Sequence, residues 1–306
     1  MPKLLVNGIR MHYQSRGSGP ELVLIHGITS NLAMWYNGFL TQLAAEFHVT
    51  AYDLRGHGLT DITASGYTSL DLAVDLRALL DTLGIGQAVI VGHSFGGTVG
   101  LHFALDNPDR VRGLVMMDSG VACLRYLRII QDWWGWENRP DDMKENGLSL
   151  EQFLELDNQQ DVTEIIRHGL SVPRRSGFKK GHSGLTSRQR KLLDETRLGY
   201  EFRDVAGLTE ERLAGMRTPI LCLYGERSPY IKMASRLAEL IPSVCDTVLP
   251  ESGHFSAILK PNVILEHLLP FLREPCSFLT NITNIVKPAG TITTTLPTEL
   301  NEACRE

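Results

Sequence analysis

No apolar run in this 306-residue chain approaches the roughly 20 residues that a helix needs to cross a bilayer, so no membrane partner is expected. Basic residues are not in excess either. The 30 Lys and Arg stand against 35 Asp and Glu, and the net charge of −5 gives no general reason to expect nucleic acid as a partner. The five cysteines, Cys123, Cys222, Cys245, Cys276 and Cys304, are odd in number and too widely spaced for a metal-ligand pattern. They read as reduced thiols of a cytoplasmic protein with no metal site. The opening "MPKLLVNGIRMHYQSRG" alternates and turns at Asn7-Gly8, where a secretory signal would carry a basic start and an apolar core. A last absence raises the main question. In "LCLYGERSPY" a strand ends at Gly225, and the third residue after it is Ser228 rather than an aspartate.

At 43% hydrophobic and 21% charged, the chain can bury one large core, or a core with an insertion. Short apolar runs recur along it: "ELVLIHG", "VTAYDLRG", "AVIVGHS", "VRGLVMMDS", "PILCLYGE" and "CDTVLPESGH". They are continuous rather than alternating, as strands covered on both faces should be. Between them lie amphipathic segments such as "SLDLAVDLRALLDTLG", which closes on Gly84 as a helix should. This alternation predicts an α/β fold, a mostly parallel sheet flanked by helices, with "LLVNGIRMHYQ" as an antiparallel hairpin at its edge. The strand rhythm stops between about Val121 and Gly215, so residues 121–215 are read as an inserted helical cap and residues 1–120 and 216–273 as the core. The Thr-rich stretch 274–306 loses helical period and is expected to be a partly flexible extension.

"VIVGHSFGG" carries the chemistry. It holds G-x-S-x-G as Gly92-His93-Ser94-Phe95-Gly96, directly after a β-branched strand and before a helical run. That is the context of a nucleophile elbow, a strained turn that exposes a serine at the carboxyl end of the sheet. Glycines are needed there because neighbouring backbone comes too close for a Cβ.

With "LIHGITS", "AYDLRGHG", "VGHSFGG" and "LPESGHF" in this order and spacing, the chain resembles the α/β-hydrolase superfamily over roughly residues 1–273. The resemblance implies an eight-stranded sheet with a lid after the sixth strand, and a cofactor-independent hydrolase. It places a catalytic base at His254 and an oxyanion hole at the backbone N–H groups of Ile28 and Phe95. A serine hydroxyl is a poor nucleophile at neutral pH, so an imidazole has to take its proton. His26, His93 and His57 lie in family motifs where they pack or hydrogen-bond, and His168 and His182 belong to the cap.

The acid has two candidates. Asp118 ends the sixth strand in "VRGLVMMDSG", and some superfamily members carry their acid after that strand; in isolation it equally reads as a turn-capping aspartate. Glu226 is the alternative acid, beside the usual position, with a side chain expected to leave its loop in another direction.

Serine in place of aspartate at the elbow argues against dehalogenase or epoxide-hydrolase chemistry and for acyl transfer. Trp133, Trp134 and Trp136 either wall an apolar acyl pocket or pack the cap. The run Arg174, Arg175, Lys179, Lys180, Arg188, Arg190 and Lys191 is a solvated loop or a docking patch for coenzyme A or an acyl carrier protein. An ester, thioester or lactone of an apolar acyl group is therefore the expected substrate. The alternatives are a carrier-linked thioester, carbon–carbon bond hydrolysis, and a non-catalytic binding protein on the same fold.

Overall fold

A computed structural model describes residues 2–129, 161, 163–164 and 185–278 of the chain. Eight strands form one sheet: β1 (Lys3–Val6), β2 (Ile9–Arg16), β3 (Glu21–Ile25), β4 (His48–Tyr52), β5 (Ala88–His93), β6 (Val111–Met117), β7 (Ile220–Gly225) and β8 (Val244–Leu249). Their order across the sheet is β1-β2-β4-β3-β5-β6-β7-β8. The β1–β2 hairpin and its pairing to β4 are antiparallel, and every later pair is parallel.

Strand periodicity divides the core between the two faces. Val23, Ile25, Ile90, Leu114, Met116, Ile220 and Cys222 face one layer, built by helices α2 (Ser69–Leu83), α3 (Phe95–Asp106) and α7 (Ile231–Leu240). The alternate residues Leu22, Leu24, Val89, Val91, Val115 and Leu221 face α1 (Phe39–Leu43) and α9 (Pro261–Arg273). Both faces are thus covered, and β5 and β7 are buried at every residue. The continuous apolar runs of these strands follow from that burial. Strand β8 departs from the pattern: it forms the sheet's edge, and Val248 is half exposed. Helix α2 starts with a capping box between Thr68 and Asp71 and ends at Gly84 in the left-handed conformation, as its sequence predicts.

Between β6 and β7 the described residues hold a 3-10 turn (Ala122–Leu127) and helices α4 (Ser187–Asp194), α5 (Leu198–Glu201) and α6 (Glu210–Ala214). Three short segments remain: α8 (Ser256–Leu259), which follows β8, and the 3-10 turns Leu32–Tyr36 after β3 and Pro108–Arg110 before β6. No helix among the described residues is long and apolar enough to cross a membrane. Cys123, Cys222 and Cys245 are free thiols, but Cys276 is disulfide-bonded, which corrects the expectation of five reduced cysteines.

Candidate active site

The parallel strands β5, β6 and β7 end side by side, and the next residue of each chain path turns onto the same edge. Register pairs His93 with Met117 and Met117 with Leu223. The ladder then runs one step further: the Ser94 N–H donates to the Met117 carbonyl at 2.9 Å and the Asp118 N–H to the Leu223 carbonyl at 3.0 Å. Ser94 and Asp118 are therefore fixed by the sheet itself rather than by loops.

Ser94 has φ 54° and ψ −125°, a region sparsely populated by side-chain-bearing residues, and it directly precedes α3. Glycines make this turn possible. A Cβ on Gly92 would overlap the backbone of Gly96 and Gly97, and one on Gly96 would overlap the carbonyl groups of Ile25 and His26. A Cβ on Gly97 would strike the Ser119 hydroxyl. Ser94 consequently stands half-exposed at the N-terminus of α3, where the helix dipole favours negative charge.

Asp118 is 4% exposed and also has a positive φ, 51°. Its carboxylate is satisfied on both oxygens. Oδ1 accepts from His254 Nδ1–H at 3.0 Å and from the Ser228 hydroxyl, and Oδ2 accepts from the Gly225 N–H at 2.9 Å. Burial pushes this carboxyl up, but the His254 hydrogen bond and charge, with Ser228 and Gly225, outweigh it and hold the group below its ordinary value. The Ser228 hydroxyl also accepts from the Tyr230 N–H at 3.0 Å, which sets its rotamer toward Asp118. The residue that replaces the usual aspartate thus serves as a donor to an acid on the neighbouring strand end.

His254 lies in the turn after β8, with a side chain 13% exposed. Because its Nδ1–H is given to Asp118, Nε2 keeps the lone pair and is the basic nitrogen. Tyr230 and Phe255 stand edge-on to the ring at 5.4 and 5.1 Å. His93 Nε2–H donates to the His254 carbonyl at 3.1 Å, so the residue preceding Ser94 tethers the backbone of His254. Burial first, then the neighbouring His254, lowers the His93 pKa to about 4, and the tether is neutral.

The loop after β3 closes the other side. A Cβ on Gly27 would meet the Ser94 Cβ at 3.0 Å, so the Gly27–Ile28 peptide lies against Ser94. Ile28 and the buried Phe95 contribute apolar surface, and Phe202 from beyond α5 stacks edge-on to Phe95 at 5.7 Å. Ile28 also packs with Tyr67, Leu192 and Leu198. Behind this loop, buried Asp53 accepts from the Leu32 N–H and the Leu59 N–H, both at 2.8 Å, and lies 2.7 Å from His12 Nδ1. His26 Nε2 accepts from the Leu54 N–H at 3.0 Å. These groups hold the loops in place, and their long-range partners give no signal in sequence.

The other expected residues fall elsewhere. Glu226 is exposed and accepts from the Glu251 N–H at 2.9 Å, away from the His254–Asp118 contact. Trp133, Trp134 and Trp136 lie outside the described residues, as do Arg174, Arg175, Lys179 and Lys180. Of the rest of that basic run, Arg188 turns inward to donate to the Thr60 carbonyl, and Lys191 pairs with Glu195 at 3.8 Å. Ser228, His93 and Tyr230 are neighbours of the site that sequence reasoning did not assign a part in it.

The sequence model of the α/β hydrolase fold family matches residues 20–261, and the chain belongs to that family. It is 27% identical over 270 residues to a 2-(acetamidomethylene)succinate hydrolase of Mesorhizobium japonicum, covering 87% of this chain and 93% of that one. A soluble epoxide hydrolase of a Corynebacterium strain is 40% identical, but over 114 residues only, 37% of this chain and 40% of that enzyme. Among solved structures, Est816, described as an N-acyl homoserine lactone degrading enzyme, aligns with TM-score 0.63 and 26% identity over 88% of this chain and all of its own. These relatives are hydrolases, and they support a hydrolase role for this chain in general terms.

Proposed function

We propose that this α/β-hydrolase cleaves a carboxylic ester, thioester or lactone through an acyl-enzyme on Ser94. The observation that carries the reading is the Asp118–His254 pair, held at the strand end next to the strained turn that presents Ser94. In the reaction His254 Nε2 takes the Ser94 proton as the hydroxyl attacks the acyl carbon, and Asp118 orients the ring and stabilises the cation that forms. The backbone N–H groups of Ile28 and Phe95 receive the developing oxyanion, a contribution of about 3 kcal/mol per donor in comparable sites. The imidazolium returns its proton to the leaving alcohol or thiol. Water, deprotonated by His254, then opens the ester.

Residues 121–215 act as the cap in this reading. Its support is that Phe202 and Leu192, both from this interval, pack against the loops flanking Ser94. A serine at the elbow separates the chemistry from that of an alkyl-enzyme ester. The lactone named for Est816 supports a lactone among these substrate classes. An acyl carrier protein or coenzyme A gains no support from Arg188 or Lys191, which are engaged within the chain.

The test is labelling by a fluorophosphonate probe together with turnover of a p-nitrophenyl ester series, by wild type and Ser94→Ala. Labelling and turnover that vanish in Ser94→Ala are expected. A wild type that neither labels nor turns over would favour a binding protein.

A further inference from the structure

The strand order sets a problem for the base. Ser94 follows β5 and His254 follows β8, with β6 and β7 between them. The turn that carries His254 therefore reaches back across three strand spacings of about 4.8 Å, roughly 14 Å in all. It also leaves from the sheet's edge strand, which has a neighbour on one side only.

Each strand it passes gives it a hold. At the end of β7 the Arg227 N–H donates to the Ser252 carbonyl at 2.9 Å, and a Cβ on Gly225 would overlap the Ser252 backbone. At the end of β6 Asp118 takes the His254 Nδ1–H at 3.0 Å. At the end of β5 the His93 Nε2–H donates to the His254 carbonyl at 3.1 Å. Among the described residues this last contact is the one hydrogen bond between that turn and the strand of the nucleophile.

His93 is well placed to act as a strut. It is the last residue of β5, paired with Met117 in the sheet, and it immediately precedes Ser94. The residue is 3% exposed, and a Cβ on Gly27 would lie 3.3 Å from its Nδ1, so the loop after β3 backs the ring. The rings of His93 and His254 are 5.2 Å apart. A carbonyl only accepts, so the His93 proton is on Nε2. With its pKa lowered to about 4 by burial and then by His254, the strut is neutral where the base works and does not oppose the imidazolium. A ring fastened at Nδ1 alone is free to swing about that bond and carry Nε2 away from Ser94. Fixing the carbonyl at the other end of the same residue removes that freedom. A misplacement of about 1 Å costs on the order of a hundredfold in rate.

We propose that His93 is a positioning residue for the base: by holding the His254 carbonyl to the end of β5, it sets the imidazole against Ser94. This role rests on the hydrolase reading and adds to it a residue that acts only through His254.

The experiment measures kcat and KM on p-nitrophenyl butyrate for wild type, His93→Gln, His93→Asn and His93→Leu, with active sites counted by fluorophosphonate labelling taken to completion. The Gln amide nitrogen stands as many bonds from Cβ as His Nε2 does, whereas that of Asn is one bond short. Asn and Leu are expected to lower kcat per labelled site by about tenfold or more with KM within about twofold, and Gln to keep kcat within a few-fold of wild type. A merely structural role would reduce the number of labelled sites and leave the rate at each one unchanged. Gln against Asn serves if His93→Leu does not fold. Turnover that depends on Ser94 but is equal in all four proteins would overturn the role of His93 and leave the hydrolase reading standing. Gln as slow as Asn would overturn it too, since the hydrogen bond would then not be the cause. A wild type that neither labels nor turns over would sink the hydrolase reading and this role with it.

Discussion

The Ser228 hydroxyl donates to Asp118 Oδ1, the same oxygen that accepts from His254 Nδ1 at 3.0 Å. Ser228 stands where a triad aspartate would be sought, and it supports the carboxylate contributed by the neighbouring strand instead. Ser228→Ala removes a hydrogen bond to a buried charge, commonly worth about 1.5–3 kcal/mol. A melting temperature lower by several degrees and kcat on p-nitrophenyl butyrate lower by about tenfold are expected. Wild-type values for both would mean the contact is incidental.

Because Ser228 reaches the Asp118 carboxylate oxygen that also holds His254, from the adjacent strand end, the acid should be transferable. Asp118→Asn combined with Ser228→Asp is expected to regain about tenfold or more of the kcat lost in Asp118→Asn alone. Ser228→Asp by itself places two carboxylates in one buried site, where one of them must take a proton or repel the other. That variant should be less stable than wild type by chemical denaturation. A double variant no better than Asp118→Asn would show that the geometry at Ser228 does not suit an acid.

Acid should weaken the fold before any carboxylate titrates. His26, His57 and His93 are buried, and burial depresses all three, His57 to about 3 and His93 to about 4. Their unfolded value is 6.5, so from there downward the unfolded chain binds protons that the folded chain refuses. Stability therefore falls as pH drops from about 6.5 toward 4, by up to about 1.4 kcal/mol per pH unit for each group. Asp118 acts in the same direction but lower down: its depressed pKa contributes stability that is complete above the ordinary carboxylate range and is lost as pH falls from there through its folded value. Urea unfolding between pH 7 and 4.5 checks this, and His57→Gln should reduce the slope by about one proton. A flat profile over that window would contradict it.

Close backbone approach, rather than flexibility, explains the glycine at 96. Its added Cβ would meet the carbonyls of Ile25 and His26, backbone atoms that cannot move aside, whereas nothing lies within 4 Å of one on Gly84. Gly96→Ala is expected to cost more than about 3 kcal/mol or to abolish soluble protein. Gly84→Ala, where only the φ of 71° resists, should cost about 1 kcal/mol. Equal melting temperatures for the two variants would refute the distinction.

Much of this was legible in the sequence because the determinants are local. The apolar runs reveal two-sided burial, Gly84 marks a helix end, and G-x-S-x-G between strand and helix marks the turn at Ser94. Asp118 was legible by its place at a strand end, and it does lie beside His254. The role of Ser228 was not, since it depends on the register that sets Met117 beside Leu223 across a long insertion. The pairing of His93 with the His254 carbonyl spans 161 residues and leaves no local pattern.

The central claim, that the orienting acid sits after the sixth strand, is tested most directly by kcat on p-nitrophenyl butyrate for Asp118→Asn and Glu226→Gln. An amide in place of the orienting acid costs about 10⁴ in kcat in a well-studied serine-protease triad, and a loss of that order is predicted for Asp118→Asn. Glu226→Gln, whose carboxylate only accepts from the Glu251 N–H, should stay within a few-fold of wild type. Near-normal activity in Asp118→Asn with a collapse in Glu226→Gln would contradict the account.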